Sequence, residues 1–281
     1  MSLFSFGGVI LDLLVMVFEF WNSEVNILFD LLGQSPDTFK DGGPWQTIEA
    51  INPIFVAIGS SLVVLFFVIG FCSESIDVKE EMRLERILQL LIRLGIAEFF
   101  VANNVSIMKA IFETVGNIIG SISGTDSVVQ VKMTKDVAET FLDLGFGESL
   151  LMLIITSILS LVVIVCGFFL IYTVYFRFLK ILIIVPLGSV AYSTMSGNHM
   201  LTNTAITYTK YFISVVFEAV MMALALIVCN SFLNAGLPEF TADLATWTKA
   251  LFYVCEMTFT IALTVGSIKG AQGLTSKALG L

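Results

Sequence analysis

Three glutamates lie inside long apolar stretches of this sequence, and their chemistry depends on what surrounds them there. Glu98, Glu218 and Glu256 fall in three different stretches. An ionised carboxylate at membrane depth is costly, so it usually faces a bundle interior or a wet cavity. The three acids are therefore candidates for a hydrated lumen, a proton path or a counter-ion to a substrate. The alternative is a set of carboxyls that hydrogen-bond between helices or are neutral because burial removes their solvation.

Other polar and helix-breaking residues accompany these acids. Lys210, Ser214 and Glu218 recur every four positions and share one face of a predicted helix, with Lys210 at the membrane edge and Glu218 two turns deeper. Pro186 and Gly188 interrupt an apolar segment just before that helix. The candidate lumen or intersubunit residues are charged, polar or helix-breaking: Arg93, Glu98, Pro186, Gly188, His199, Lys210, Glu218 and Glu256.

Signatures of catalysis and of metal binding are missing from the sequence. It has no GxSxG or HExxH, and no aspartate falls in a confident span, which excludes an intramembrane aspartyl protease. The four cysteines lie in apolar runs without a CxxC pair and are expected to act as small hydrophobic residues. The single histidine, His199, has no acidic neighbour in sequence. We predict that the protein is not an enzyme and uses no metal or cofactor.

The composition places these residues in a membrane. Of 281 residues, 57% are hydrophobic and only 13% are charged, whereas soluble domains carry about 25% charged residues. The mean hydropathy is +0.95. A net charge of −9 argues against holding nucleic acid through basic patches, which phosphate binding normally uses. We therefore predict one polytopic membrane domain.

The N-terminal part, residues 1–52, is predicted to differ from the transmembrane domain, residues 53–281. Residues 1–33 have apolar positions at helical spacing and indicate one or two amphipathic helices. These helices lack the basic face that anionic lipid favours, so we expect them to pack on protein. Residues 34–52 are rich in Pro, Gly and Asp and predict a loop.

Basic residues set the expected orientation. Lys79, Arg83 and Arg86 follow the first span, so the loop that contains them is predicted to be cytoplasmic and residues 34–52 extracytoplasmic. By the same rule, Arg177 and Lys180 suit the cytoplasmic end of a later span.

The predicted fold is an all-α polytopic membrane bundle with five or six spans and one proline-broken segment. The number depends on whether residues 181–195 cross the membrane fully or re-enter it. Residues 84–122 are expected to form one long or bent helix whose far end lies outside the membrane. The predicted apolar segments are 53–72, 84–122, 150–176, 181–195, 211–233 and 250–268.

A polar stretch, SGNHMLTNTAITYTK, follows the proline-containing segment. It is polar without being strongly charged. It is either the mouth of a pore lined with hydroxyls and amides or an ordinary interhelical loop.

Two stretches together resemble the TrbL-like polytopic subunits of conjugative type IV secretion systems, especially those of Gram-positive mobile elements. One is IFVAIGSSLVVLFFVIGFC with the charged loop and RILQLLIRLGIAEFFVANNVSIMKAIFETVGNIIGSI after it. The other is YFRFLKILIIVPLGSVAYSTMSGNHMLTNTAITYTKYFISVVFEAVMMALALIV, with its proline and its small polar linker. They cover about half of the chain.

The resemblance implies a channel or scaffold subunit that helps to pass single-stranded DNA with its attached relaxase across the cytoplasmic membrane. The implied partners are other secretion-system subunits, the bilayer and, transiently, the DNA–protein substrate. One copy has too few spans to enclose such a passage, so we expect a ring-like homo-oligomer. Close contacts in it are predicted at small residues such as Gly59. The alternative is a secondary transporter or another polytopic scaffold, although a transporter usually shows two repeated halves.

Overall fold

The computed structural model describes residues 6–77, 84–123, 131, 133, 135–234, 245–278 and 280. Helices account for 93% of the structure, and the described residues include no strand. The predicted all-α fold is therefore confirmed. The predicted loop that contains Lys79 and Arg83 lies outside the described residues.

Eight α-helices follow one another in the described part of the chain, with a short 3₁₀ turn at Phe39–Gly42 and another at Thr194–Ser196. The helices are α1 (Gly7–Gly33), α2 (Gly43–Asp77), α3 (Leu84–Ala102), α4 (Asn104–Ser123), α5 (Lys135–Leu142), α6 (Phe146–Ser193), α7 (His199–Asn234) and α8 (Thr246–Ala278).

Within the described ranges, five segments are long and apolar enough to cross a membrane. They are Phe39–Ser73, Asn104–Ile122, Phe146–Ser196, Leu201–Cys229 and Thr246–Ala278. This number is the lower of the two that the sequence predicted, and it makes the protein a multi-pass membrane protein. The bend predicted within residues 84–122 lies at Asn103, the one residue between α3 and α4. The far end of this stretch was predicted to lie outside the membrane, but Asn104–Ile122 is one of the five apolar segments.

Three predicted boundaries were wrong. Residues 43–52, predicted to belong to a loop, form the first turns of α2, which has Pro53 inside it. Pro186 lies inside α6, which continues without interruption from Phe146 to Ser193, so residues 181–195 do not form a separate broken segment. The polar stretch after it is mostly helical, because α7 begins at His199. Asn198 caps that helix, since its side-chain oxygen accepts a hydrogen bond from the N–H of Leu201 at 3.1 Å.

The chain divides into two compact units. The first comprises Met1–Leu32, Ser121–Tyr175 and Met221–Gln272, and the second comprises Gly33–Gly120, Phe176–Val220 and Gly273–Leu281.

In the first unit, α1 buries an apolar stripe, as its sequence predicted. Ile10, Leu14 and Phe18 pack with Phe141 and Val254 in one hydrophobic cluster. Its apolar face is thus covered by protein of the same chain rather than left for lipid.

In the second unit, α2 lies along the last turns of α6, and the two helices run parallel. A Cβ on Gly59 would lie 2.7 Å from the carbonyl oxygen of Ser189, and the hydroxyl of Ser196 donates to the carbonyl of Val63 at 2.8 Å. Gly59 thus serves a close contact within one chain, where the sequence analysis expected a contact between copies. Because glycine has no side chain, the backbones of α2 and α6 can approach each other closely at Gly59.

Candidate functional site

The proline-containing part of α6 is held by two side chains from neighbouring helices. Proline has no N–H, so Pro186 cannot donate the helical hydrogen bond of its turn. Close by, the side-chain amide of Asn104 donates to the carbonyl of Val185 at 2.6 Å. The hydroxyl of Tyr208 donates to the carbonyl of Ile184 at 2.9 Å. The carbonyl that Pro186 leaves without its helical donor is that of Leu182, four residues earlier. The two bonds therefore attach the proline-containing turn to α4 and α7 and do not replace the missing helical bond.

Gly188 makes room for both of these donors. A Cβ at this position would collide with the side-chain oxygen of Asn104 and would lie 2.7 Å from the hydroxyl oxygen of Tyr208. Gly188 is therefore required for close approach, not for a left-handed backbone. Asn104 and Tyr208 were not among the predicted residues. The proline was the only sequence signal that side-chain donors would be needed near it.

A buried ion pair lies farther from the proline, between α6 and α7. The ammonium of Lys180 is 3.3 Å from one carboxylate oxygen of Glu218 and 3.4 Å from the other. Glu218 is 6% exposed. The acid that the sequence singled out is thus satisfied within its own chain, by Lys180 rather than by Lys210 on its own helix.

Arg177 adds a second cation to this pair. It is 2% exposed, and its Nε and Nη1 atoms make no hydrogen bond to any described residue. Its guanidinium carbon lies 5.3 Å from the centre of the Phe178 ring, a cation–π arrangement. Arg177 is therefore an interior residue, whereas Lys180 is partly exposed at the edge of the same contact.

A stacked aromatic pair shows that two of the predicted orientations are inconsistent with each other. The rings of Phe39 and Phe178 are 4.1 Å apart, and their planes differ by 10°. Phe39 belongs to the stretch predicted to be extracytoplasmic, whereas Phe178 lies between the two cations predicted to be cytoplasmic. A bilayer core is about 30 Å thick, so the two predictions cannot both hold.

The eight candidate residues fall into three groups. Pro186, Gly188 and Glu218 are buried within the second unit. Arg93, Glu98, Lys210 and Glu256 are exposed on the surface of the chain, and the hydroxyl of Ser60 donates to Glu98 at 2.8 Å. The side chain of His199 lies outside what the structure describes.

An open groove of about 570 Å³ runs beside α7 in the second unit. Its wall combines apolar side chains with hydroxyls and one amide, including Thr194, Asn203, Thr207 and Tyr211. The polar stretch of the sequence therefore supplies a helical face rather than a loop. Among the described residues, no three histidine, cysteine or acidic side chains come together as a metal site.

These features define a multi-pass membrane protein whose second unit combines a proline-containing helix, an ion pair and a groove of apolar and hydroxyl-bearing side chains. Residues 21–189, more than half of the chain, match the family described as TrbL/VirB6 plasmid conjugal transfer like protein. The chain belongs to this family and is thus a subunit of the conjugal transfer or type IV secretion class. No curated protein matched the chain. No solved structure matched it either.

Proposed function

We propose that the protein is a channel or scaffold subunit that helps to pass single-stranded DNA and its relaxase across the cytoplasmic membrane. The observation that carries this proposal is the family match over residues 21–189, in a chain with five helices able to cross the membrane. The role is structural, since members of the family are secretion-system subunits and not known enzymes.

The groove beside α7 is the proposed lining of the passage. Its polar side chains Asn203 and Thr207 are exposed and carry no charge. Such a wall offers hydrogen bonds to water, and it has no cation that would trap a polyanion. In hydrocarbon the same side chains would be left without partners, which is costly.

Several copies around an axis are needed to enclose the passage, because one copy supplies only five spans. Glu98 and Glu256 are exposed acids, so we place them at contacts between copies, at contacts with other secretion-system subunits or on the wet surface of the lumen.

A mating experiment tests this function. An in-frame deletion in the donor should abolish transfer of the mobile element, and the intact gene should restore it. Nicking of the transfer origin by the relaxase should remain at its normal level, because the defect lies in transport. Normal transfer without the protein would refute the proposal.

Replacing Asn203 and Thr207 by leucine and valine tests the groove. Transfer should fall at least about 10-fold while the protein level stays normal. Ile183, which is 65% exposed on α6, provides the matched control as Ile183→Leu. Equal transfer by both variants would show that the groove does not line the passage.

A further inference from the structure

Helix α4 differs from the other four candidate spans in the side chains that it exposes. Each of those four exposes several large apolar side chains, among them Ile54 on α2 and Phe259 on α8, at 61% and 56%. No described side chain of α4 is a large exposed hydrophobic group. The exposed residues of α4 are all polar or small: Ser106, Ala110, Glu113, Thr114, Asn117, Gly120 and Ser121. The outer face of α4 thus lacks the apolar side chains that contact with acyl chains favours.

The apolar residues of α4 face the protein instead. The ring of Phe112 lies 6.0 Å from that of Trp45 on α2 and 5.5 Å from that of Phe212 on α7. The buried apolar residues of α4 recur every three or four positions and form one stripe: Met108, Phe112, Val115 and Ile119. A helix with its apolar stripe on protein and its polar face outward has the pattern of a helix beside water.

Two contacts fix the depth of this polar face relative to α2. Phe112 packs against Trp45, which lies near the start of α2. Farther along α2, a Cβ on Gly59 would lie 2.9 Å from the side chain of Val101, just before α4 begins. The part of α2 between Trp45 and Gly59 therefore lies at the same depth as the part of the chain between Val101 and Phe112.

The side chains exposed at this shared depth differ between the two helices. On α2, Ile54 is 61% exposed, and acyl chains suit it. On α4, the exposed residues are Ser106 and Ala110. Beside them the ammonium of Lys109 lies 2.9 Å from the carboxylate of Asp37, and 44% of the lysine side chain is exposed. Charged groups in contact with hydrocarbon are costly, so this side of the unit requires water.

We propose that the outer face of α4 borders a water-filled recess at membrane depth, which opens on the side of the membrane that holds the turn before α2. Asp37 belongs to that turn and pairs with Lys109. The opening lies on this side because the polar face continues past Phe112, through Glu113 and Thr114. None of the residues that line the groove beside α7 belongs to α4, so this inference does not rest on the proposed function.

Spin labels on single cysteines test the recess in full-length protein that lacks its native cysteines and is reconstituted in phospholipid vesicles. Ser106→Cys and Thr114→Cys are compared with Ile54→Cys and Ile58→Cys, which expose the apolar face of α2. A water-soluble nickel chelate collides with labels in water, whereas oxygen concentrates among acyl chains. The ratio of nickel to oxygen collisions should be at least about 5-fold higher on α4 than on α2. Equal ratios on both helices would show lipid contact and overturn the proposal. Few collisions with either reagent on α4 would show that a second copy covers the face, which would also overturn it.

Labelling from one side of the membrane tests where the recess opens. Thr38→Cys, in the turn beside Asp37, and Thr114→Cys should react with an impermeant maleimide from the same side, both in intact cells or both only after the cells are opened. Reaction of the two cysteines from opposite sides would overturn the stated opening. Normal transfer after deletion of the gene would refute the proposed function and leave the collision ratios and the labelling unchanged, so the two proposals fail separately.

Discussion

Phe39 and Phe178 stack with their ring centres 4.1 Å apart, which places the turn before α2 at the same level as Arg177 and Lys180. This level is one end of the second unit. The other end holds Gly70, where a Cβ would lie 3.2 Å from Gly197. Helix α2 and the last part of α6 therefore run in the same direction from the first end to the second.

A disulfide between engineered cysteines tests this arrangement. In a protein without native cysteines, Phe39→Cys with Phe178→Cys should form an intramolecular bond under mild oxidation, because the two side chains are in contact. The pair Phe39→Cys with Phe176→Cys is the control, since Phe176 is 45% exposed. Loss of thiol labelling, read as a gel shift, measures the bond. If only the control pair formed the disulfide, Phe39 and Phe178 would not be in contact, and the turn before α2 would not lie at the level of Arg177 and Lys180.

Gly188 is predicted to be intolerant of even one methyl group. Gly188→Ala should lower the free energy of unfolding by about 1–3 kcal/mol, because the new Cβ collides with Asn104 and crowds Tyr208. Gly95 on α3 is the matched control, since a Cβ there meets nothing within 4 Å. Gly95→Ala should be neutral or stabilising by up to about 1 kcal/mol. Thermal unfolding in detergent measures the stability of both variants. A Gly188→Ala protein as stable as the unaltered one would show that Asn104 and Tyr208 do not constrain this position.

The ion pair of Lys180 and Glu218 should matter more than an exposed acid does. Glu218→Gln leaves two cations without their carboxylate and should destabilise the fold by about 2–4 kcal/mol. Glu256→Gln, at an exposed position, should change stability by less than about 0.5 kcal/mol. Unfolding curves of the two variants decide the matter. Similar curves for both would show that the buried pair is not needed.

The ion pair between Asp37 and Lys109 predicts that the stability of the fold depends on pH. Burial acts to raise the pKa of Asp37, but the nearby side chain of Ser35 and the hydrogen bond and charge of Lys109 outweigh burial and lower it. The pair has an N–O distance of 2.9 Å. Because the folded-state pKa lies below the ordinary value of 3.8, the stabilisation is complete above that value. It is lost as the pH falls through the lower, folded-state pKa.

Asp37→Asn measures that contribution. The variant should melt below the unaltered protein at pH 6, and the gap should shrink as the pH falls below about 4. Asp41→Asn, a change in the same turn, controls for removing one negative charge. A gap that stayed constant with pH would show that the ion pair does not stabilise the fold.

The sequence predicted the helices and the membrane correctly because both depend on local composition. Runs of apolar residues indicated the spans, and the periodic stripe of α1 indicated its buried face. The sequence did not predict that Asn104 and Tyr208, residues 82 positions before and 22 after Pro186, donate hydrogen bonds to carbonyls next to the proline. A donor supplied from another helix leaves no local pattern.

The charge pairs show the same limit. Spacing on one helix placed Lys210 and Glu218 on a common face, yet the partner of Glu218 is Lys180 on a different helix. Arg177 and Lys180 looked like flanking charges because they follow 27 residues without a charge. Burial at the contact with α7 decides their role, and burial is a property of the packed helices.

Photo-cross-linking in mating donor cells tests the central claim most directly. A photoreactive amino acid at Thr207, on the proposed lining, should capture the transferred DNA strand during conjugation. The same amino acid at the exposed Ile183 should not, with capture expressed relative to the amount of strand that each donor still transfers. Recovery of the strand at Thr207 alone is the result this account predicts. Normal transfer with no DNA captured at Thr207, Asn203 or Tyr211 would contradict it.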